Sequence, residues 1–375
     1  MASGCVARLL KGCPPMQSPA DFTARLASVL SAITLPREAA RREAQAHWDA
    51  LAKPLGSLGL LEDAVASIAA LTGSADVRLD RRLLVVACAD NGVVAQGVTQ
   101  CGSDVTALVA TALAEGRSTV CSMARVARCE VLPVDVGIRD YAGAAGVLDR
   151  RVANGTADIS QGPALSRSAC ERAVCAGIDL VGDLAAQGVS IVATGEMGIG
   201  NTTTSSAVAC VLLGAEPAEM TGRGAGLSDE GLGRKKAVIT QAIALNAPDP
   251  QDPIDVLAKV GGLDIAFLCG VFVGCAYYRV PALVDGCISA VAALAAVRLC
   301  PQVHKALLAS HVSAEPAGAR VLDALGLRPL ITAEMRLGEG SGAVAALPLL
   351  DMALAVYSGG TTFDGLGMDA YVPLS

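Results

Sequence analysis

Leu83-Leu84-Val85-Val86-Ala87-Cys88-Ala89-Asp90-Asn91-Gly92 joins an unbroken apolar run to a turn of small and polar residues. A run without polar alternation belongs to a strand buried on both faces, and the glycine turn closes it. The same pattern recurs at residues 131–136, closed by Gly137, and at 189–194, followed by Gly195-Glu196-Met197-Gly198-Ile199-Gly200-Asn201. Residues 265–268 and 306–310 read as two further strands. Alanine-rich helical segments separate several of these runs, so the expected fold is α/β: a parallel, Rossmann-like sheet flanked by helices. In an open parallel sheet, ligands bind in the crevice beyond the carboxyl ends of the strands. Three polar turns in corresponding positions point to a common site.

Outside this region the pattern is helical. Leu58, Leu61, Val65 and Ile68 fall at helical spacing after the breaker Lys53-Pro54-Leu55-Gly56-Ser57, and helix returns over 343–350 and 352–357. The expected division is a large α/β domain over 80–335 and a small helical domain made from both chain ends, 20–79 plus 336–375.

Composition narrows the function. The chain has 375 residues, 53% of them apolar and 17% charged, which is ample material for a packed core. Aromatic residues make up only 3%, and a net charge of -7 repels a phosphate backbone, so no nucleic-acid partner is expected. Thirteen cysteines lie scattered through apolar contexts with no C-x-x-C pair, which suits a reducing compartment and a cytoplasmic location. With only three histidines, no metal site is expected. Residues 1–14 lack the sustained apolar core of a secretory signal, and the run 288–297 is too short to cross a bilayer, so no membrane partner is expected.

Four segments carry candidate chemistry. In Glu196-Met197-Gly198-Ile199-Gly200-Asn201-Thr202-Thr203-Thr204, the glycines let backbone N–H groups converge before a helix N-terminus, which favours an anion but equally describes a capped turn. Thr221-Gly222-Arg223-Gly224-Ala225-Gly226 is a second anion-compatible segment, with Arg223 a possible bidentate clamp and Lys235 and Lys236 at the start of the next helix. Ser310-His311-Val312-Ser313-Ala314-Glu315 lacks the nucleophile elbow of an acyl hydrolase. In Arg336-Leu337-Gly338-Glu339-Gly340-Ser341-Gly342, flanking glycines leave a carboxylate open to a cleft, although a charge at a helix start would look similar. No G-x-G-x-x-G joins a strand to a helix, so a dinucleotide cofactor is not expected.

Taken in order, these segments resemble the nicotinate-nucleotide:dimethylbenzimidazole phosphoribosyltransferase family of cobamide biosynthesis. The resemblance runs from Lys53-Pro54-Leu55-Gly56-Ser57-Leu58-Gly59 through Ala89-Asp90-Asn91-Gly92-Val93, the 196–203 segment, Gly222-Arg223-Gly224 and Gly261-Gly262-Leu263-Asp264-Ile265-Ala266. It ends with Ser310-His311-Val312-Ser313-Ala314-Glu315-Pro316 and the 336–342 segment. It departs from the family pattern at Asn91, where histidine is usual, in Gly97-Val98-Thr99-Gln100-Cys101-Gly102-Ser103, in Pro316-Ala317-Gly318, and in Ser358-Gly359-Gly360-Thr361-Thr362-Phe363.

The resemblance implies transfer of phosphoribose from nicotinate mononucleotide to 5,6-dimethylbenzimidazole, giving α-ribazole 5'-phosphate and nicotinate. Another benzimidazole, a purine or a phenol is the alternative acceptor, and a catalytically weak ligand-binding homologue the alternative class. The resemblance further implies a homodimer, no cofactor, and Glu339 as the general base. Gly198, Gly200, Asn201, Thr202, Thr203, Gly222, Arg223 and Gly224 would hold the 5'-phosphate, helped by Lys235 or Lys236. Asp90, Asn91, Thr99, Glu196, Ser310, Arg336, Leu337 and Gly338 complete the expected substrate-binding set.

Overall fold

The computed structural model describes residues 19–371. The expectation about a leader at 1–14, the cysteines Cys5 and Cys13, and the last four residues of the expected helical domain lie outside that range.

Six parallel strands form one sheet: β1 Arg82–Ala89, β2 Glu130–Gly137, β3 Leu148–Asp149, β4 Ile191–Met197, β5 Ala282–Val284 and β6 Leu307–Ala309, in the order β3-β2-β1-β4-β5-β6. The α/β, Rossmann-like sheet read from the sequence is therefore present. Val85 of β1 pairs with Leu132 on one side and Thr194 on the other, so the quoted run lies at the centre of the sheet. Alternate β1 residues serve opposite cores. Leu83, Val85 and Ala87 face the Leu263–Tyr278 helix and share a core with Arg167–Ala186 and Cys287–Leu299. Leu84, Val86 and Cys88 face Glu38–Ala50, Leu60–Thr72, Thr119–Val126 and Ser341–Gly359.

One expected strand is wrong. Residues 265–268 lie inside the Leu263–Tyr278 helix, whose residues are buried on every side through Ala276. A short, wholly apolar run fits a fully buried helix as well as a strand, and periodicity does not separate them. Contact decides: a Cβ on Gly270 would collide with the Val174 carbonyl oxygen, and one on Gly177 would collide with that of Phe267. The two helices cross with their backbones almost touching, which only glycine permits. Strands β3 and β5, two and three residues long, are absent from the strands expected, whereas β6, equally short, falls within the expected 306–310 run.

Helices from both chain ends meet on the second face. Ala52 N donates to Thr361 O at 2.9 Å, and Trp48 stacks edge-on against Tyr357 with ring centroids 4.9 Å apart. Ser341–Gly359 is long and apolar enough to span a membrane by length and composition, but Ala343, Val344, Ala346, Leu347, Leu350 and Ala353 are buried in the core on this face. The described cysteines are free, and all but Cys101 are buried.

Candidate active site

The carboxyl ends of β4, β5 and β6 open into a cleft. β4 ends in Glu196-Met197 and turns through Gly200, at φ +93°, into the Asn201–Leu213 helix. β5 leads through Asp285 and Gly286 into Cys287–Leu299, and β6 leads into Ser310 and His311. The loop carrying Glu339 lies over β4. Its seat is Gly195, where a Cβ would meet the Glu339 carbonyl group and Gly340 N at 2.6 Å. Glu196, Gly198, Asn201, Thr202, Gly224, Arg336, Leu337, Gly338 and Glu339 line the cleft, together with Asp285, Ser289, His311, Ser313 and Glu315.

Glu339 is set by an unusual backbone. Gly338, Glu339 and Gly340 have φ of +83°, +58° and +86°, and a side chain in this left-handed region costs about 1–2 kcal/mol. Oε2 of Glu339 accepts from the Ser118 hydroxyl and, at 3.5 Å, approaches the backbone N–H of Val120. Ser118 is the N-cap of Thr119–Val126, so the carboxylate sits at a helix N-terminus, where partial positive charge favours an anion. Glu339 is half-buried and on the cleft wall, which suits a proton acceptor that a substrate must reach.

Behind it lies a crowded set of carboxyl groups. Asn201 Nδ2 donates to Glu196 Oε2 and, at 3.1 Å, to Asp264 Oδ2. Burial first, then Asp264, pushes the Glu196 carboxyl well above the usual carboxylate range. Burial likewise raises Asp264 to about 6. Acidic groups on this wall favour a cationic ligand.

Behind the cleft lining at Thr202 and Gly224 lies a buried cation. Lys235 is wholly buried, and its Nζ donates to Thr202 Oγ1 at 2.8 Å and to Gly222 O at 3.2 Å. Burial lowers its ammonium to about 8, opposed by the charge of Glu315. Glu315 Oε1 accepts from Gly224 N at 3.1 Å. The Asn201–Leu213 and Cys287–Leu299 helices present their first turns here, neither with a side-chain cap. The buried hydroxyl of Ser289 has no hydrogen-bond partner among the described residues.

The remaining expected residues do not line the cleft. Asp90 is buried, and its Oδ2 accepts from Arg139 N at 2.8 Å. Asn91 lies behind the 198–201 turn: its Nδ2 reaches Ile199 O at 3.4 Å and its Oδ1 accepts from Thr204 at 3.3 Å. Thr99 donates to Cys101 O at 2.8 Å. Gly200 forms the turn, Thr203 is buried with a hydroxyl unpartnered among the described residues, and Gly222 sits beneath Glu315. Arg223 is exposed and pairs with Asp229 and Leu227 O, outside the clamp expected of it. Lys236 is half-buried on the neighbouring helix position. Ser310 donates to Val284 O at 2.6 Å and lies 3.2 Å from His311 Nδ1, so it holds His311 from behind.

A family profile described as Phosphoribosyltransferase matches residues 33–367. The chain belongs to this phosphoribosyltransferase family. The nicotinate-nucleotide–dimethylbenzimidazole phosphoribosyltransferases of Ruminiclostridium cellulolyticum and Acetivibrio thermocellus are each 46% identical to it. These matches cover 89% and 88% of this chain and 95% and 94% of theirs. The solved structure of the nicotinate-nucleotide–dimethylbenzimidazole phosphoribosyltransferase from Thermus thermophilus aligns with a TM-score of 0.83 at 36% identity, over 89% of this chain and 99% of the other.

Within this phosphoribosyltransferase, sequence reasoning missed Ser118, Asp285 and Ser289. Ser118 and Asp285 act through tertiary contacts with a loop far along the chain, and no local pattern marks them. Ser289 had a signal: a polar residue inside the otherwise apolar run Cys287-Ile288-Ser289-Ala290-Val291.

Proposed function

We propose that the cleft transfers phosphoribose from nicotinate mononucleotide to 5,6-dimethylbenzimidazole, with Glu339 as the general base. The observation that carries the reading is the placement of Glu339 on the wall of a cleft that also takes in Thr202 and Gly224, the residues behind which Lys235 is buried. Nicotinate mononucleotide has a cationic ring nitrogen and a 5'-phosphate, and the acidic wall and the buried cation match them in charge. One benzimidazole nitrogen attacks the anomeric carbon while Glu339 accepts the proton from the other. The glycosidic bond breaks with its electron pair going to the pyridine nitrogen, so nicotinate leaves without an acid. Attack from the face opposite the leaving group inverts the anomeric carbon and gives the α product. Glu196, beside the Glu339 loop, supports developing positive charge on the ribose.

Lys235, Thr202, Gly198, Gly224 and the first turn of Cys287–Leu299 hold the phosphate in this reading, and the phosphate is a handle that is not transferred. The division into a small domain of 20–79 plus 336–375 and a large one of 80–335 is supported, over the described residues, by the contacts between the chain ends. The exposed Met352 and Val356 on Ser341–Gly359 support a homodimer. The buried free thiols support a cytoplasmic location.

The test is to incubate purified protein with nicotinate mononucleotide and a panel of benzimidazoles, purines and phenols, following nicotinate release and the nucleotide product by mass. Dimethylbenzimidazole-dependent release of nicotinate is expected. No base-dependent product would refute the reading, and preference for a phenol would refute the acceptor.

A further inference from the structure

The Glu339 loop needs an anchor. Glu339, the non-glycine residue among three successive left-handed ones, persists in that conformation only where surrounding contacts over-determine it. Gly195 supports the loop from β4, and Ser118 holds the carboxylate. On its far side the loop runs directly into Ser341–Gly359, a helix whose N-cap, Gly340, offers no side chain. The missing cap comes from another strand. Asp285 at the end of β5 is 3% exposed, and its Oδ1 accepts from Gly342 N at 2.7 Å and from Ala343 N at 2.9 Å. A buried carboxylate at a helix N-terminus is held by both hydrogen bonding and the helix dipole.

His311 completes the clasp. Its Nδ1 lies 3.9 Å from Asp285 Oδ1, and its ring fills the space a Cβ on Gly342 would need. The imidazole thus packs beside the aspartate and against Gly342 in the first turn of the helix. Burial raises the Asp285 carboxyl above its usual value, opposed by the charge of His311 and by the backbone donors.

We propose that Asp285, clasped by His311, is a positioning residue that sets the Glu339 carboxylate by capping the helix that follows it. This rests on Glu339 being the base. Asp285 acts on turnover through Glu339.

A double-mutant cycle tests this. Asp285→Ala should lower kcat about 100-fold, the cost of a misplaced catalytic group, with KM for nicotinate mononucleotide changed about twofold or less. Asp285→Asn keeps an acceptor oxygen for both N–H groups and should restore kcat to within about tenfold of the parent. In a Glu339→Gln background, Asp285→Ala should add less than about threefold, because residues acting as a unit are not additive. A full 100-fold further loss in that background overturns the proposal, as does an unchanged kcat in Asp285→Ala alone. If Asp285→Ala does not fold, Asp285→Asn carries the cycle: its smaller loss should vanish in the Glu339→Gln background, and its persistence there overturns the proposal. Glu339→Gln measured alone reports on the base assignment independently.

Discussion

The hydroxyl of Ser118 donates to Oε2 of Glu339 across 221 residues of sequence. It brings the N-terminus of Thr119–Val126 to a loop seated on β4, so that two elements on the same face of the sheet meet at one carboxylate. A hydrogen bond to a charged group contributes about 1.5–3 kcal/mol. Ser118→Ala should therefore lower kcat by about tenfold, with the fold retained by circular dichroism. Steady-state kinetics checks this, and a kcat equal to the parent would show that the hydroxyl does not support the base.

Gly195 makes a sterically sharper prediction. A Cβ there would meet the Glu339 and Gly340 backbone at 2.6 Å, so Gly195→Ala must displace the loop and should cost about 100-fold in kcat. Gly233, inside Asp229–Asn246, has nothing within 4 Å of its notional Cβ. Gly233→Ala should leave kcat unchanged and raise stability by about 1 kcal/mol. Assays and thermal melts of the two variants side by side distinguish a seat for the loop from a general demand for glycine.

The fold and the loop were legible for different reasons. β1, β2 and β4 announce themselves because each is a long apolar run ending in a polar or glycine turn, whereas β5 is three residues long and residues 265–268 belong to a buried helix with the same composition. Glu339 was visible because its glycines are local. Lys235 and Lys236 were inseparable, since neighbours on a helix point about 100° apart and only packing selects the inward one. Packing turns Lys235 inward to Thr202 and leaves Lys236 half-buried. Asn91, expected at the site from the resemblance, lies behind the 198–201 turn, a placement set by tertiary contacts that the local sequence does not show.

Glu196 links the site to stability. Its folded pKa is raised, so the protonated form stabilises the protein fully below the ordinary value of 4.5, and that contribution is lost as pH rises through the folded value. Glu196→Gln stays neutral throughout. It should melt several degrees above the parent at alkaline pH and at the same temperature in acid. A variant less stable than the parent at alkaline pH would contradict the assigned crowding of Glu196 and Asp264.

Lys235 sets the alkaline limb. Its ammonium titrates at about 8 in the free protein, lowered mainly by burial, so the charge that meets a phosphate is lost as pH rises through that value. The kcat/KM for nicotinate mononucleotide should fall above pH about 8, because this ratio reports groups of the free enzyme. Lys235→Met should start lower and lack that limb. A parent profile that stays flat well above this pH would remove Lys235 from phosphate binding.

The central claim is that Glu339 takes the proton of the incoming azole. The most direct measurement is kcat for dimethylbenzimidazole-dependent nicotinate release by Glu339→Gln, with nicotinate mononucleotide binding measured in parallel. Loss of a general base predicts a fall of about 100-fold or more with binding retained. A kcat within about threefold of the parent would contradict the account, since a residue removing the proton in the transition state is not replaced by an amide.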